Sequence, residues 1–236
     1  MKGKVICIEG ADGVGKSTLF EALKERYKKC RVIFKKYPTL PLNPNIEKYL
    51  KGEIPKPDRE KLTEYQYRRN IASFYMVDRI ADMMTPVEEG SRLCIPDYLD
   101  VGYNLITDRY TLSNCILQVS NMSINQKRAY IEEVMKTEFE TFGIPKPDLV
   151  LICTASPERC VTNISNRGRT PDIHENRDSI LKSLENSNIL NNELATTSIK
   201  SLIYKTDDDF GMKSIQRIVR EIEVIFEMYG VVMYKK

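Results

Sequence analysis

Residues 4–20 read KVICIEGADGVGKSTLF, and this stretch decides how the rest of the chain is organised. The apolar run at 5–8 predicts a buried strand, and the amphipathic residues after position 17 predict a helix. Between them, residues 10–17 match G-x-x-x-x-G-K-[ST] in the strand–loop–helix context that this pattern requires. Glycines let such a loop curl so that its N–H groups point at phosphate oxygens, and the helix N-terminus adds its dipole. The stretch therefore predicts a nucleoside triphosphate site.

Two side chains of the loop carry chemistry beyond that of its backbone. Lys16 supplies a positive charge at the β- and γ-phosphates, and Ser17 can offer its hydroxyl to Mg²⁺. The alternative, a glycine-rich turn that arose by chance, is disfavoured because the pattern and its context agree. We expect the whole loop to bind ATP through Gly10, Ala11, Asp12, Gly13, Val14, Gly15, Lys16, Ser17 and Thr18.

The composition excludes several classes of protein. The 236 residues are 42% hydrophobic and 29% charged, as expected of a globular chain and not of a disordered one. A formal net charge of +3 is too small for a protein that coats nucleic acid. Apolar runs are too short to span a membrane, and the first strand starts too early to leave room for a targeting peptide. Six scattered cysteines and one histidine favour a reducing, cytoplasmic compartment and argue against a zinc site.

Strand-like and helix-like segments alternate along the chain. This pattern predicts one α/β domain over residues 1–236, with a five-stranded parallel sheet between two layers of helices. The expected strands lie at 5–8, 31–34, 103–107, 149–153 and 201–205, with a weaker candidate at 93–96. The longest expected helix, 59–84, has Asp58 as its cap. The acidic run at 207–209 is interpreted as a solvated turn and helix cap, in preference to a metal site.

Polar residues that follow the strands form the candidate site, because ligands of parallel sheets bind at the carboxyl ends of the strands. Asp108 ends the strand at 103–107, where it can hold Mg²⁺ or accept a hydrogen bond from Ser17. Arg109 suits an anionic acceptor because its fork matches phosphate geometry. The alternative, a structural ion pair of Asp108 with Arg109 or Lys16, is disfavoured because the loop already requires a partner carboxylate.

Two further segments leave alternatives open. Tyr75 and Arg79 lie four residues apart in the longest helix and share a face that can hold a nucleobase, although spacing alone favours a core stripe. The segment 166–174 is either a mobile lid that brings Arg167 and Arg169 to a phosphoryl group or a solvated loop. No N-K-x-D follows a strand, which disfavours a guanine-switch GTPase and favours a small-molecule kinase.

Taken in order, these features resemble the thymidylate kinase family along nearly the whole chain. The matching segments are the loop GADGVGKST, Tyr37-Pro38, FYMVDR at 74–79, DRY at 108–110, PDLVLI at 147–152 and RGR…DIHE at 167–175. The resemblance implies the P-loop NTPase (nucleotide kinase) architecture and Mg²⁺-dependent transfer of the γ-phosphoryl group of ATP to dTMP, which gives dTDP for dTTP biosynthesis. It also implies small-molecule partners and a homodimer formed through a helix face near 71–84.

The resemblance also assigns roles to individual residues. Asp12 corresponds to the acidic residue that contacts the 3′-hydroxyl of the acceptor, Arg109 to the arginine that holds its monophosphate and Arg79 to the one that reaches its base. Tyr75 stands where the family usually stacks a phenylalanine on thymine. The implied substrate-binding residues are Asp12, Tyr37, Pro38, Tyr75, Arg79, Arg109, Ser113, Asn114 and Gln118. The implied catalytic residues are Lys16, Asp108, Arg109, Arg167 and Arg169, and the implied metal ligands are Ser17 and Asp108.

One departure from the family pattern bears on the mechanism. Gly13 stands where some members carry an arginine inside the loop. Members with glycine at this position resemble the bacterial type, which supplies the arginine from the lid. The resemblance therefore favours Arg167 or Arg169 as the residue that meets the transferred phosphoryl group.

Other departures bear on the acceptor. Thr39 and Leu40 replace an arginine that some members use on the acceptor phosphate, a loss for which Lys36 or Arg69 can compensate. This chain also has Ile173 where the family has an arginine, Leu117 where an aromatic residue is common and Tyr75 where phenylalanine is usual. These departures bear on base selectivity more than on the reaction type. Two alternatives to a thymidylate kinase stay open: a kinase for another deoxynucleoside monophosphate or a deoxynucleoside, and a catalytically silent nucleotide-binding regulator.

Overall fold

A computed structural model describes residues 2–55, 60–168 and 172–235 of the chain. The main strands are β1 (Val5–Gly10), β2 (Val32–Lys36), β3 (Asn104–Asp108), β4 (Leu149–Thr154) and β5 (Lys200–Lys205). They form one sheet in the order β2–β3–β1–β4–β5, and every neighbouring pair is parallel. The predicted five-stranded parallel sheet is confirmed.

Helices fill most of the connections between the strands. In the described residues they are α1 (Lys16–Arg26), α2 (Pro44–Leu50), α3 (Glu64–Met83), α4 (Ile95–Asp100), α5 (Ser113–Leu117), α6 (Ile124–Met135), α7 (Pro157–Ser165), α8 (Arg177–Leu194) and α9 (Ile215–Met228). A π-helical segment, Lys136–Thr141, extends α6. None of the helices in the described ranges combines the length and apolarity needed to cross a membrane.

Alternate side chains of β1 enter two separate cores, one on each face of the sheet. Val5 and Cys7 belong to a core shared with α5 and α6, whereas Ile6 and Ile8 belong to one shared with α1 and α9. Each of these four residues is at most 3% exposed. Burial on both faces explains the continuous apolar run of the strand, and the predicted three-layer α/β/α arrangement is confirmed.

The candidate strand at 93–96 is wrong. Helix α4 begins at Ile95, and its first turn contains Pro96. A proline in the first turn sacrifices no helical hydrogen bond, because the N–H groups there have no partner within the helix. The short apolar run thus belongs to a helix start, and β3 begins only at Asn104.

Helix α3 begins later than predicted. Its cap is Thr63, whose hydroxyl accepts the backbone N–H of Gln66 while the Gln66 side chain returns to the Thr63 backbone. This reciprocal capping box places the first helical residue at Glu64. The predicted cap, Asp58, and the predicted start at 59 lie outside the described residues.

The acidic run at 207–209 opens a short hairpin and does not cap a helix. The hairpin pairs β6 (Asp207–Asp208) with β7 (Gly211–Met212). Asp207 is buried, and its Oδ2 accepts the backbone N–H of Ser156 at 2.8 Å. The cap of α9 is Ser214. Within the described ranges, no group of three or more His, Cys, Asp and Glu side chains is arranged to hold a metal.

The strand order brings distant residues of the chain to one edge of the sheet. Ile8 of β1 is in register with Asp108 of β3, and Lys36 of β2 is in register with the same aspartate. The loop after β1 therefore meets Asp108 and Lys36 at the carboxyl ends of the strands, where ligands of such sheets bind.

Candidate active site

The loop between β1 and α1 has the curled backbone of a phosphate-binding loop. Gly10, Gly13 and Gly15 have φ angles of 133°, 80° and 88°, a region that residues with side chains avoid. A Cβ atom at position 13 would lie 2.3 Å from the carbonyl oxygen of Cys160. An arginine therefore cannot occupy position 13 without a shift of the backbone.

Two side chains from other segments hold this loop. Asn163 Nδ2 donates to the carbonyl of Gly13 at 2.7 Å, and Thr206 Oγ1 donates to the carbonyl of Val14 at 2.8 Å. Both bonds engage carbonyl oxygens, the backbone groups that would repel a phosphate. The loop is thus braced from α7 and from the end of β5.

Lys16 is the buried cation of the loop. It is 6% exposed, and its Nζ donates to the carbonyl of Ala11. Burial, followed by the positive charge of Arg109, lowers the pKa of Lys16 to about 8. A bound polyphosphate would compensate both effects, so the loop holds a charge that a nucleotide stabilises.

Ser17 and Asp108 form a pair of oxygen ligands where α1 begins and β3 ends. Ser17 Oγ donates to Asp108 Oδ2 at 2.8 Å, and Asp108 is buried. Lys36 Nζ lies 3.3 Å from each of these two oxygens. Hydroxyl and carboxylate oxygens suit Mg²⁺, which often takes one or two protein ligands together with water and phosphate. The pair therefore fits the metal site implied by the family resemblance.

Arg109 has a backbone conformation that is rare outside glycine, with φ of 67°. Its Nη2 donates to Asp12 Oδ1 at 2.5 Å, and its Nη1 donates to the carbonyl of Gly10 at 3.3 Å. Burial opposes ionisation of Asp12, but Arg109 and Lys16 hold the pKa of its carboxyl well below the usual range. Asp12 is therefore an ionised hydrogen-bond acceptor at neutral pH.

Two cavities meet at these residues. The donor cavity, about 570 Å³, lies over the loop, and the acceptor cavity, about 410 Å³, lies beside Tyr75. Both are lined by Asp12, Lys36, Tyr37 and Arg109. The donor cavity is further lined by Gly13, Gly15, Lys16, Ser17, Thr18, Asp108 and Arg167, and the acceptor cavity by Pro38, Tyr75, Arg79, Ser113, Asn114, Gln118 and His174. The fold thus assembles most of the predicted site residues around two adjoining spaces.

The acceptor cavity has an aromatic and amide end. Tyr75 packs edge-on against Tyr49, with ring centroids 6.5 Å apart. Tyr49 Oη donates to Gln118 Oε1 at 2.9 Å. Asn114 is 3% exposed, and its Nδ2 has no hydrogen-bond partner among the described residues. Rings and amides of this kind can stack on a nucleobase and bond its edge.

Arg79 borders the acceptor cavity but is already paired. It is 2% exposed, and its Nε and Nη2 donate to the two carboxylate oxygens of Glu138 at 2.8 and 2.6 Å. Thr111 Oγ1 donates to the same carboxylate at 2.7 Å. A contact between Arg79 and a base, which stays a prediction, would use its third nitrogen, Nη1.

Three buried polar residues of the site received no individual role in the sequence analysis, although Glu9 opens the candidate segment 9–17 that follows the first strand. Glu9 accepts the backbone N–H of Tyr110 at 2.9 Å and the hydroxyl of Ser113, and burial raises its pKa to about 7. Glu138 lies in the π-helical segment, whose wider turn has no sequence signal of its own. His174 could have been singled out from the sequence, because it is the only histidine and follows Ile173, where the lid departs from the family pattern.

The two cations considered as replacements for the family arginine have different positions. Lys36 borders the acceptor cavity and touches Asp108. Arg69 pairs with Glu133 at 2.6 Å and borders another, smaller pocket. Of the two, Lys36 is therefore the residue within reach of an acceptor phosphate.

Part of the predicted lid lies in the described residues. Arg167 borders the donor cavity, and its Nη1 donates to Glu175 Oε1. The Glu175 side chain is 1% exposed, so the ion pair has one buried partner. Arg169 lies outside the described residues, and its predicted role stays a prediction.

Comparison with known proteins gives matches over most of the chain. A family model for thymidylate kinase matches residues 8–207. A probable thymidylate kinase from Methanocorpusculum labreanum is 28% identical over 168 residues, which covers 69% of this chain and 71% of that protein. One from Archaeoglobus fulgidus is 27% identical over 169 residues, with coverage of 70% and 71%. A solved structure of thymidylate kinase from Candida albicans has a TM-score of 0.68 at 19% identity, covering 100% of this chain and 96% of that one.

Proposed function

The chain belongs to the thymidylate kinase family and is an ATP-dependent nucleoside monophosphate kinase, and on that premise we propose that it converts ATP and dTMP into ADP and dTDP. ATP binds in the donor cavity and dTMP in the acceptor cavity. The observation that carries this proposal is the junction of the two cavities at Asp12, Lys36, Tyr37 and Arg109. There the γ-phosphate of ATP and the phosphate of dTMP can approach each other beside the cationic side chains of Lys36 and Arg109.

Catalysis in this arrangement is positioning and charge stabilisation. The N–H groups of the loop and Lys16 bind the β- and γ-phosphates of ATP. Mg²⁺, when held by Ser17 and Asp108, neutralises part of the phosphate charge. Arg109 and Lys36 hold the monophosphate of the acceptor, whose attacking oxygen is ionised at neutral pH and needs no general base.

The acceptor is oriented by the side chains between Arg109 and the aromatic end of its cavity. Tyr75 stacks on the base, and Asn114 and Gln118 bond the edge of the base. Asp12 accepts a hydrogen bond from the sugar 3′-hydroxyl. The ionised state of Asp12 and the unpartnered amide of Asn114 support these roles.

A lid at 166–174 closes over the phosphates and delivers Arg167 or Arg169 to the transferred group. Two observations support the lid: position 13 has no room for an arginine, and Arg167 borders the donor cavity. Lysine at the catalytic position keeps the charge but loses the planar fork. We therefore expect kcat at saturating substrates to fall by about 10²-fold or more in either Arg167→Lys or Arg169→Lys.

The matched control for the lid is Arg177→Lys, which changes an exposed arginine at the start of α8 that pairs with Glu158 at 3.5 Å. Turnover in this control should equal that of the wild type. Full turnover in both lid variants would refute the delivery of an arginine by the lid.

A coupled ADP-release assay with Mg-ATP tests the reaction itself. The acceptors are dTMP, dUMP, dCMP, dGMP, UMP and thymidine, and we expect the highest kcat/KM for dTMP. A clear preference for thymidine would replace the proposal with a nucleoside kinase. No turnover with any of these acceptors would favour a nucleotide-binding regulator.

A second candidate is a kinase with broader selectivity among deoxynucleoside monophosphates. Tyr75 favours it, because a tyrosine brings a polar tip to a position where the family usually has phenylalanine. The Candida albicans thymidylate kinase is described as having broad substrate specificity. Values of kcat/KM for dUMP or dGMP close to that for dTMP, in the same panel, would favour this candidate.

We also propose that the enzyme is a cytoplasmic homodimer. Its six cysteines are free, as is usual in a reducing compartment. Val77 and Met84, at 52% and 75% exposure, lie along and just after α3 and supply apolar surface for a partner helix.

A further inference from the structure

His174 is a buried polar residue that none of the roles above uses. It is 9% exposed and borders the acceptor cavity. Its Nε2 has no hydrogen-bond partner in the part of the chain that the structure describes. Most buried polar side-chain atoms in proteins are paired, so a buried ring nitrogen without a described partner, on a residue that lines a cavity, points to a ligand contact.

Contacts of the imidazole place it between the two ends of the cavity. The ring packs on Tyr49 at a centroid distance of 5.6 Å, and Tyr49 in turn packs on Tyr75. Asp12 and Arg109 line the same cavity, and their charges act on the imidazole. Tyr75 marks the base end and Arg109 the phosphate end. Because the sugar joins the base to the phosphate, a nucleotide bound with these two ends would bring its sugar near His174.

The state of the ring suits a hydroxyl group. Burial lowers the pKa of His174 to about 4, so the imidazole is neutral at pH 7 and has one donor and one acceptor nitrogen. A hydroxyl both donates and accepts hydrogen bonds, so it can pair with either nitrogen of a neutral imidazole. The backbone N–H of His174 donates to Asp172 Oδ1 at 2.9 Å, which anchors the residue at the cavity wall.

We propose that His174 is a specificity-determining residue whose imidazole donates a hydrogen bond to the sugar 3′-hydroxyl of the acceptor nucleotide. Asp12 accepts a hydrogen bond from that hydroxyl while the imidazole of His174 donates one to its oxygen. The hydroxyl is therefore recognised both as a donor and as an acceptor. The inference rests on the proposed function, because it requires a nucleoside monophosphate in the acceptor cavity. An acceptor without the hydroxyl leaves the buried imidazole of His174 without this partner and is bound less tightly.

Calorimetric titration with dTMP and with its 3′-deoxy analogue tests this role in the absence of ATP. In His174→Phe, we expect the affinity for dTMP to fall about tenfold and that for the analogue to change less than about twofold. His174→Gln, which retains a donor, should restore part of the preference for dTMP. The comparison isolates the hydroxyl because the two ligands differ only in that group.

Two measurements separate this role from a structural one. No described residue bonds Nε2, so phenylalanine should leave the thermal unfolding midpoint close to that of the wild type. Ser179→Ala, which changes a half-buried residue that does not line the acceptor cavity, is the matched control and should leave both affinities unchanged. An equal loss of affinity for both ligands in His174→Phe, or no loss for either, would overturn the inference alone. Wild-type protein that binds neither ligand would overturn the proposed function as well.

Discussion

Replacing Lys16 with methionine is expected to lower kcat by about 10³-fold at saturating ATP and dTMP, because it removes a preorganised charge from the transferred phosphate. The side chain is 6% exposed and lies inside the loop, so its charge acts where water cannot substitute for it. Methionine has a similar length and fills the same space without the charge. Burial lowers the pKa of Lys16, which indicates that its charged form is disfavoured in the folded chain before a phosphate binds. The ADP-release assay measures the loss.

The control for this prediction is Lys28→Met. Lys28 is an exposed lysine that follows α1 and pairs with Glu25 on the surface. The Lys28→Met variant should retain wild-type turnover and unfold at the same temperature as the wild type. Wild-type turnover in Lys16→Met, with ATP and dTMP both saturating, would contradict the role of Lys16 in phosphoryl transfer.

Replacing Arg109 with lysine is expected to cost about 3 kcal/mol of transition-state binding, or about 10²-fold in kcat/KM for dTMP. Lysine keeps the charge but cannot bond Asp12, the Gly10 carbonyl and a phosphate through one planar group. Steady-state kinetics with dTMP varied at fixed ATP measures the change. The KM for ATP should change much less, because the loop and Lys16 remain in place.

The control for this prediction is Arg128→Lys. Arg128 pairs with Glu193 at 2.9 Å on the surface, so its fork has no role in either cavity. The Arg128→Lys variant should leave the KM for ATP and the KM for dTMP unchanged. If Arg109→Lys raised the KM for ATP as strongly as that for dTMP, Arg109 would belong to the donor site, and its assignment to the acceptor would be wrong.

Some residues of the site were predictable because their requirement is local. Gly10, Gly13 and Gly15 adopt φ angles that only glycine tolerates well, so their spacing alone identifies the phosphate-binding loop. Asp108 was predictable because a polar residue that ends a buried parallel strand lies at the ligand-binding edge. Helical spacing offered Tyr75 only as one of two alternatives, since an aromatic residue on a helix is more often part of a core. The family resemblance was needed to assign it to the acceptor.

Element boundaries and short elements were predicted less well than the five main strands. The start of α3 depends on the capping box at Thr63, which competes with the earlier acidic residue that the sequence also offers. The run at 93–96 has strand-like composition but starts a helix, because four apolar residues do not distinguish the two. The buried Asp207 accepts a hydrogen bond from the backbone N–H of Ser156, 51 positions away. Such a long-range contact has no signal in the local sequence.

The sequence by itself determined the phosphate-binding loop, the parallel sheet and the family, because each follows from local backbone requirements, from periodicity or from the order of motifs. Only the tertiary structure decided how the charges pair. It joins Arg79 to Glu138 across 59 positions and Arg109 to Asp12 across 97. It also places Lys36 at the junction of the two cavities and the buried His174 at the wall of the acceptor cavity. The physical reason is that the burial and the pKa of a side chain depend on neighbours that the chain brings together only when it folds.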